Sequence, residues 1–238
     1  MNNLTKRQEA VLKTIIDEYI ETAEPVGSET LDKKYNLGVS PATLRNEMVR
    51  LTEMGLLHQP HTSAGRAPTP EALKYYVSEL MKPKSLSVVD EIRLKEKIQP
   101  KKQEFEKLMR EATKILAEKT RSLALAVADD GALYYAGTAN ILDMPEFYDI
   151  DFTRSVLGLL DKFDFWEDFL EGDDEEETVH LLLGEDLGRH FLAPCGFVHI
   201  HYRIGPRKGA IGVVGPCRLN FPLIVPTIRY LGELLEDL

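Results

Sequence analysis

Residues 40–69 read SPATLRNEMVRLTEMGLLHQPHTSAGRAPT, a short helix with a polar, basic outer face followed at once by a Gly-containing β-hairpin. Ser40 can cap a helix N-terminus, and Pro41 suits the first helical position, where its missing N–H costs nothing. Leu44, Met48, Leu51 and Met54 recur at three- and four-residue spacing and make one buried stripe. Thr43, Arg45, Asn46, Glu47 and Arg50 are then expected to point outward. Arg and Asn are the side chains that pair bidentately with guanine and adenine edges. Gly55 closes the helix, and residues 56–59 and 66–69 supply the two arms of a wing around Ser63-Ala64-Gly65. This pattern predicts a winged helix-turn-helix that binds DNA.

Upstream, Thr5 with Gln8 three residues later is a capping-box pattern that starts a helix over 6–23. Val11, Leu12, Ile15, Ile16, Tyr19 and Ile20 form its apolar face. Glu24-Pro25-Val26-Gly27 stops it, Ser28 opens a second short helix over 28–35, and Leu37-Gly38-Val39 turns the chain into Ser40. Two helices joined by a tight turn, with the second as reader, is the helix-turn-helix arrangement. Downstream, Thr69-Pro70 repeats the capping logic of Ser40-Pro41 and starts a helix carrying Leu73, Tyr76, Val77 and Leu80. These signals place a DNA-binding domain at 1–82. A helical linker follows at 83–121, its helices 88–99 and 101–121 interrupted at Pro100. In the second helix Phe105, Leu108, Met109, Ala112, Ile115 and Leu116 share a stripe too short for a coiled coil, which favours packing within the chain.

From Leu123 the texture changes to short apolar runs punctuated by Gly, Asp and Pro. Strands are expected at 123–128, 132–137, 178–184, 197–203 and 208–215. Helices are expected at 152–170 and 222–235, with a short one near 186–192. Together they predict an α+β fold for the whole chain, with an antiparallel sheet in a C-terminal domain at 122–238. The acidic run 171–177 reads as a solvated loop.

Net charge is −10 over 238 residues, but it divides unevenly. Residues 1–125 hold 21 Lys+Arg against 18 Asp+Glu, and residues 126–238 hold 8 against 21. This asymmetry suggests a basic nucleic-acid module joined to an acidic one. No run approaches the length of a membrane span, and the N-terminus lacks an apolar signal core. Cys195 and Cys217 are too few for a disulfide scaffold. A cytoplasmic protein without membrane contact is expected.

Other constellations are weaker. Cys195, His199, His201 and Cys217 could be weighed as a zinc set, but their spacing matches no compact Cys/His site, and strand histidines with buried cysteines are the simpler reading. The Gly209–Gly215 glycines resemble a dinucleotide fingerprint but sit inside a strand followed by Pro216, whereas that motif needs a strand-to-helix turn. The carboxylates of 164–177 have no paired histidine or nucleophile. The chain is therefore expected to be no enzyme and to need no cofactor or metal.

Residues 4–80 resemble the winged-helix domain of the HrcA heat-inducible transcription repressors, through RQEAVLKTIIDEYIETAEPVGSETL, GVSPATLRNEM and above all LTEMGLLHQPHTSAGRAPT. The resemblance resumes in Asn140-Ile141-Leu142-Asp143-Met144-Pro145-Glu146-Phe147, in His201-Tyr202-Arg203-Ile204-Gly205 and from Gly209 to Pro216. It implies a dimeric repressor that binds an inverted-repeat operator upstream of chaperone operons and releases it on heat shock. It also implies a GAF-like C-terminal domain and a chaperonin that helps to keep the repressor active. Family members carry an inserted dimerising domain between the first strand and the Pro-Glu-Phe motif. Here Ala128 to Asn140 crosses that interval directly, so this chain resembles a shortened member.

For the site, Arg45 and Asn46 are expected to touch bases and Arg50 the backbone, with Ser40 at the helix start. Thr43 suits a thymine methyl or a phosphate. In the wing, His61, Thr62, Ser63 and Arg66 suit phosphate or minor-groove contact, while Gly65 permits the turn. The plainer alternative is that Arg45 and Arg50 are only solvated partners of Glu47 and Glu53. For function, the alternative to a heat-shock repressor is a ligand-responsive winged-helix regulator of another regulon.

Overall fold

Helix α1 (Lys6–Thr22) begins with a reciprocal cap: Gln8 N donates to Thr5 Oγ1 at 3.3 Å, and Thr5 N donates to Gln8 Oε1 at 2.9 Å. Two of the helix's orphan N–H groups are thereby satisfied. In the computed structural model, residues 4–35, 37–82, 85–170 and 179–238 are described. They fall into two units, Met1–Lys82 and Pro83–Leu238.

In the first unit α1 is followed by α2 (Ser28–Lys34) and α3 (Pro41–Glu53). Ser40 Oγ accepts from Thr43 N at 3.2 Å, the cap expected for α3. Leu12, Ile15, Ile16, Leu31, Leu44 and Leu51 meet in a fully buried centre. A buried carboxylate ties α1 to the end of α2: Glu18 takes Lys34 Nζ at 2.5 Å and Tyr35 Oη at 2.7 Å. The Lys34 contact holds the Glu18 carboxyl below the usual range, and the same carboxylate helps push the Tyr35 phenol up to about 12. Gly55, with φ +75°, lets the chain leave α3 in a left-handed turn.

The wing follows as two very short strands, β1 (Leu57–His58) and β2 (Ala67–Pro68), paired antiparallel with Leu57 opposite Pro68. Its arms are shorter than expected, and Arg66, expected in the second arm, spends its backbone N–H and carbonyl on Val26 instead. Helix α4 (Pro70–Tyr75) is capped by Thr69 and widens into a π-turn over Tyr76–Leu80. Buried Tyr76 donates to Asp17 of α1 at 2.6 Å, closing the unit.

The second unit is built on a five-stranded antiparallel sheet in the order β4-β3-β7-β6-β5. The strands are β3 (Leu123–Ala128), β4 (Leu133–Ala136), β5 (His180–Leu183), β6 (Cys195–Ile204) and β7 (Arg207–Pro216). Every residue of β3 is buried, as a central strand covered on both faces requires. One face carries α6 (Phe105–Thr120) and α9 (Phe221–Glu236), with α5 (Val88–Ile98) packed on them. The segment expected to be a linker is therefore a layer of this unit. Its apolar stripe, with Leu108, Met109, Ala112, Ile115 and Leu116 buried, packs on the sheet rather than staying free.

The opposite face is closed by α7 (Ile150–Leu157), α8 (Phe163–Glu167) and several 3-10 turns. Here the single helix expected over 152–170 is broken at Gly158–Asp161. Trp166 Nε1 donates to the Leu159 carbonyl at 2.8 Å, using an acceptor that a continuous helix would have satisfied itself. Phe165, Trp166, Phe169 and Phe197 then form a cluster of neighbouring rings with centroids 4.9–5.9 Å apart, edge-to-face in every pair but the tilted Trp166–Phe169. The short helix expected near 186–192 is two 3-10 turns separated by Gly188, whose φ is +69°. The acidic run 171–177 and the start of the strand expected at Thr178 lie outside the described residues. Among those described, no helix is long and apolar enough to cross a membrane.

Candidate nucleic-acid interface

The reading face of α3 is decided by which of its side chains the core does not take. Leu44, Met48 and Leu51 face inward, and Met54 ends half-buried at the C-cap. Arg45, Asn46, Val49 and Arg50 face outward. No hydrogen bond or ion pair engages Arg45 or Asn46 among the described residues, so their planar donor and acceptor groups remain available to base edges. Val49 is 40% exposed beside them. It is an exposed apolar side chain of the kind that can meet a thymine methyl; sequence reasoning missed it, although its three-residue spacing from Asn46 places it on the same face. Ser40 and Thr43 are engaged with each other, Oγ to Oγ1 at 3.0 Å, and form the helix start.

Glu47 does not point outward as expected. Its side chain is only 7% exposed and lies against α1, where Arg7 Nη1 is 3.6 Å and Arg50 Nη1 is 3.7 Å from the same oxygen, Oε1. The alternative that Arg50 is an ion-pair partner of Glu47 is thus correct in part. Arg7 comes from forty residues upstream, and no local pattern in the sequence announces it.

The wing is braced from within. Gln59 Nε2 donates to the carbonyls of Thr62 at 3.0 Å and Ala64 at 2.9 Å, while His61 Nδ1 lies 3.1 Å from Ser63 Oγ. His61, Thr62 and Ser63 are exposed at the tip. Gly65 does not serve a left-handed turn, since its φ is not positive. A Cβ there would stand 2.4 Å from the Val26 carbonyl, so glycine is needed where the wing touches the α1–α2 turn. Arg66 completes that seam with two backbone bonds to Val26, at 2.8 and 2.9 Å, and its Nε donates to Thr52 at 3.1 Å. Arg66 is a latch between wing and α3 as well as a candidate contact. Between these elements lies an open cleft of about 420 Å³ lined by Gly27, Thr30, Arg45, Gln59, Ser63 and Arg66.

The first unit is not basic overall. Residues 1–82 hold 10 Lys+Arg and 11 Asp+Glu, and the surplus of the first half comes from residues 83–125 with 11 against 7. Bulk charge therefore supplies no attraction for phosphate, which would depend on where individual cations sit.

The Cys/His set separates into two groups. Cys217 Sγ donates to the Cys195 carbonyl at 2.9 Å, and burial pushes both thiols up to about 12, so neither readily becomes a thiolate ligand. His199 and His201 meet His180 of β5 instead, with ring centroids 5.0 and 4.8 Å from it. Burial holds His199 well below its ordinary pKa, and lowers His180 too. No group of three or more His, Cys, Asp or Glu among the described residues is placed to hold a metal ion. The Gly209–Gly215 run lies wholly in β7, where a Cβ on Gly212 would meet the Val198 carbonyl at 2.2 Å. Its glycines serve close strand packing.

The comparisons agree with this geometry. Residues 3–81 match the model for the winged helix-turn-helix DNA-binding domain of HrcA transcription repressors, and residues 49–225 match the HrcA C-terminal domain. The heat-inducible transcription repressor HrcA of Moorella thermoacetica is 46% identical, covering 98% of this chain and 97% of that one. Its counterpart from Carboxydothermus hydrogenoformans is 44% identical, covering 99% and 98%. These alignments run over 337 and 336 positions. They exceed the 238-residue chain, so each relative has residues with no counterpart here. A crystal structure of a hypothetical protein superposes with a TM-score of 0.80 at 19% identity, covering 99% of this chain and 98% of that one. It shows the same fold.

Proposed function

The chain belongs to the HrcA family of heat-inducible transcription repressors, and from that premise we propose that it silences chaperone operons by binding an inverted repeat as a two-fold dimer. It is a DNA-binding transcriptional repressor of the heat-shock response and not an enzyme. The observation that carries the finer reading is the pair Arg45 and Asn46, exposed without bonding partners among the described residues on the outer face of α3 and flanked by the braced wing. A single winged domain reads few base pairs. Two reading helices about 34 Å apart, or a multiple of that, would match an inverted repeat and supply specificity. In this reading Ser40 and Thr43 approach the backbone at the helix start, and His61, Thr62 and Ser63 reach the phosphates or minor groove beside the wing.

Heat acts through the second unit, which holds two copies together until its contacts loosen; single winged domains then bind too weakly to repress. The void lined by Phe165, Trp166, Cys195 and Phe197 measures about 10 Å³, no more than one water requires, so that part of the core offers the ligand-responsive alternative no site. A repressor of chromosomal operons works in the cytoplasm, and chaperonin control would act on the assembled dimer. The test is an anisotropy titration against an inverted-repeat duplex from upstream of the organism's chaperone genes, beside a scrambled duplex. Tight preference for the repeat supports the reading. Equal weak binding to both would overturn it.

A further inference from the structure

Glu47 is a feature of the DNA-binding unit that sequence logic misplaces, and its surroundings carry a role. A carboxylate 93% removed from solvent ordinarily satisfies both oxygens. Here Oε1 faces Arg7 of α1 and Arg50 of α3, at 3.6 and 3.7 Å, while Oε2 is buried with no hydrogen-bond partner among the described residues. Both arginine side chains remain 55% and 65% exposed. The separations are those of ion pairs rather than short hydrogen bonds, so most guanidinium N–H groups stay free. One buried negative charge thus holds two exposed positive ones at the edge of the reading helix. None of the three lines the cleft that Arg45 shares with the wing.

The geometry points to Glu47 as a positioning carboxylate that holds Arg7 and Arg50 as a two-arginine clamp for the sugar–phosphate backbone alongside α3. This rests on the DNA-binding reading above and extends it to a residue, Arg7, outside the helix and wing. Fixing the arginines before binding reduces the side-chain ordering that association must otherwise impose. The donors also suit phosphate, which Arg engages through its planar fork. Such contacts carry no sequence information; they set how the reader sits on the duplex.

The experiment compares wild type, Arg7→Gln and Glu47→Gln by anisotropy on the inverted-repeat and scrambled duplexes at 50 and 200 mM salt, with circular dichroism melts to verify folding. Each lost phosphate contact lowers the salt slope by about 0.9. Arg7→Gln should therefore weaken binding to both duplexes, and its deficit should shrink about threefold between the two salt concentrations. Glu47→Gln removes a negative charge near DNA, so simple electrostatics would tighten binding; the clamp predicts weaker binding instead. Wild type that prefers the repeat while Arg7→Gln keeps its affinity and salt slope would overturn the clamp alone. So would tighter binding by folded Glu47→Gln. If Glu47→Gln fails to fold, the Arg7→Gln slope decides. Wild type that binds neither duplex would overturn the DNA-binding reading and the clamp with it.

Discussion

In Met1–Lys82 the outer face of α3 leaves Arg45 and Asn46 exposed without partners among the described residues, and a cleft of about 420 Å³ opens beside Arg45. In Pro83–Leu238 the void lined by Phe165, Trp166, Cys195 and Phe197 measures only about 10 Å³, and the indole N–H of Trp166 is bonded. The first unit keeps polar groups available to a ligand larger than itself. The second packs Phe165, Trp166, Phe169 and Phe197 together in its core. The difference suits the first unit to reading, and under the function proposed above assembly and thermal response fall to the second.

The largest expected effect separates the two directly. Phe197→Ala removes a fully buried ring from the aromatic cluster and should cost the second unit about 3–5 kcal/mol. Urea unfolding followed through Trp166, the only tryptophan, measures it. A loss under about 1 kcal/mol would show that this core is looser than described.

Next, Gly65→Ala forces a Cβ against the Val26 carbonyl and should destabilise the first unit by about 1–3 kcal/mol. Operator affinity should fall with it, because wing and α3 share that seam. An unchanged melting curve would place the wing elsewhere.

Arg45→Ala inverts the pattern: stability stays within about 0.5 kcal/mol while operator binding loses about 1–3 kcal/mol with relaxed specificity at one position. Uniform weakening on operator and scrambled duplexes would make Arg45 a phosphate contact.

Acid should also divide the units. His180 and His199 are held neutral in the folded state, chiefly by burial, so their pKa values lie below the ordinary 6.5. Below that value the unfolded chain takes up protons that the folded one refuses, and the second unit loses stability. The first unit's Glu18 is lowered by its hydrogen bond to Lys34, so its contribution is present above about 4.5 and lost only below it. Urea midpoints followed at pH 7.5 and pH 5.5 should drop for the Trp166 signal while the first unit holds. Equal behaviour of both would deny the histidine cluster this effect.

Much of the first unit was legible because its signals are local. The Thr5–Gln8 box, the Ser40-Pro41 and Thr69-Pro70 starts and the Gly55 stop each act within four residues, and the structure carries all of them. What escaped depends on distant partners. Glu47 looked like an outward charge because its companion Arg7 lies forty positions away. The break after Leu157 was hidden because Phe163, Phe165, Trp166 and Phe169 suit a helix by hydrophobicity, yet the indole takes the Leu159 carbonyl. His180 joined His199 only through the β5–β6 register, which places them opposite each other. The 83–121 helices read as a linker because their burial comes from a sheet that follows them in the chain.

The division of labour is tested most directly by heating the repressor on a labelled operator while recording duplex anisotropy and Trp166 fluorescence together. The account predicts that the operator leaves as the Trp166 environment changes, with first-unit helicity retained. Release with the Trp166 signal unchanged, or an operator still held after that signal has collapsed, would contradict it.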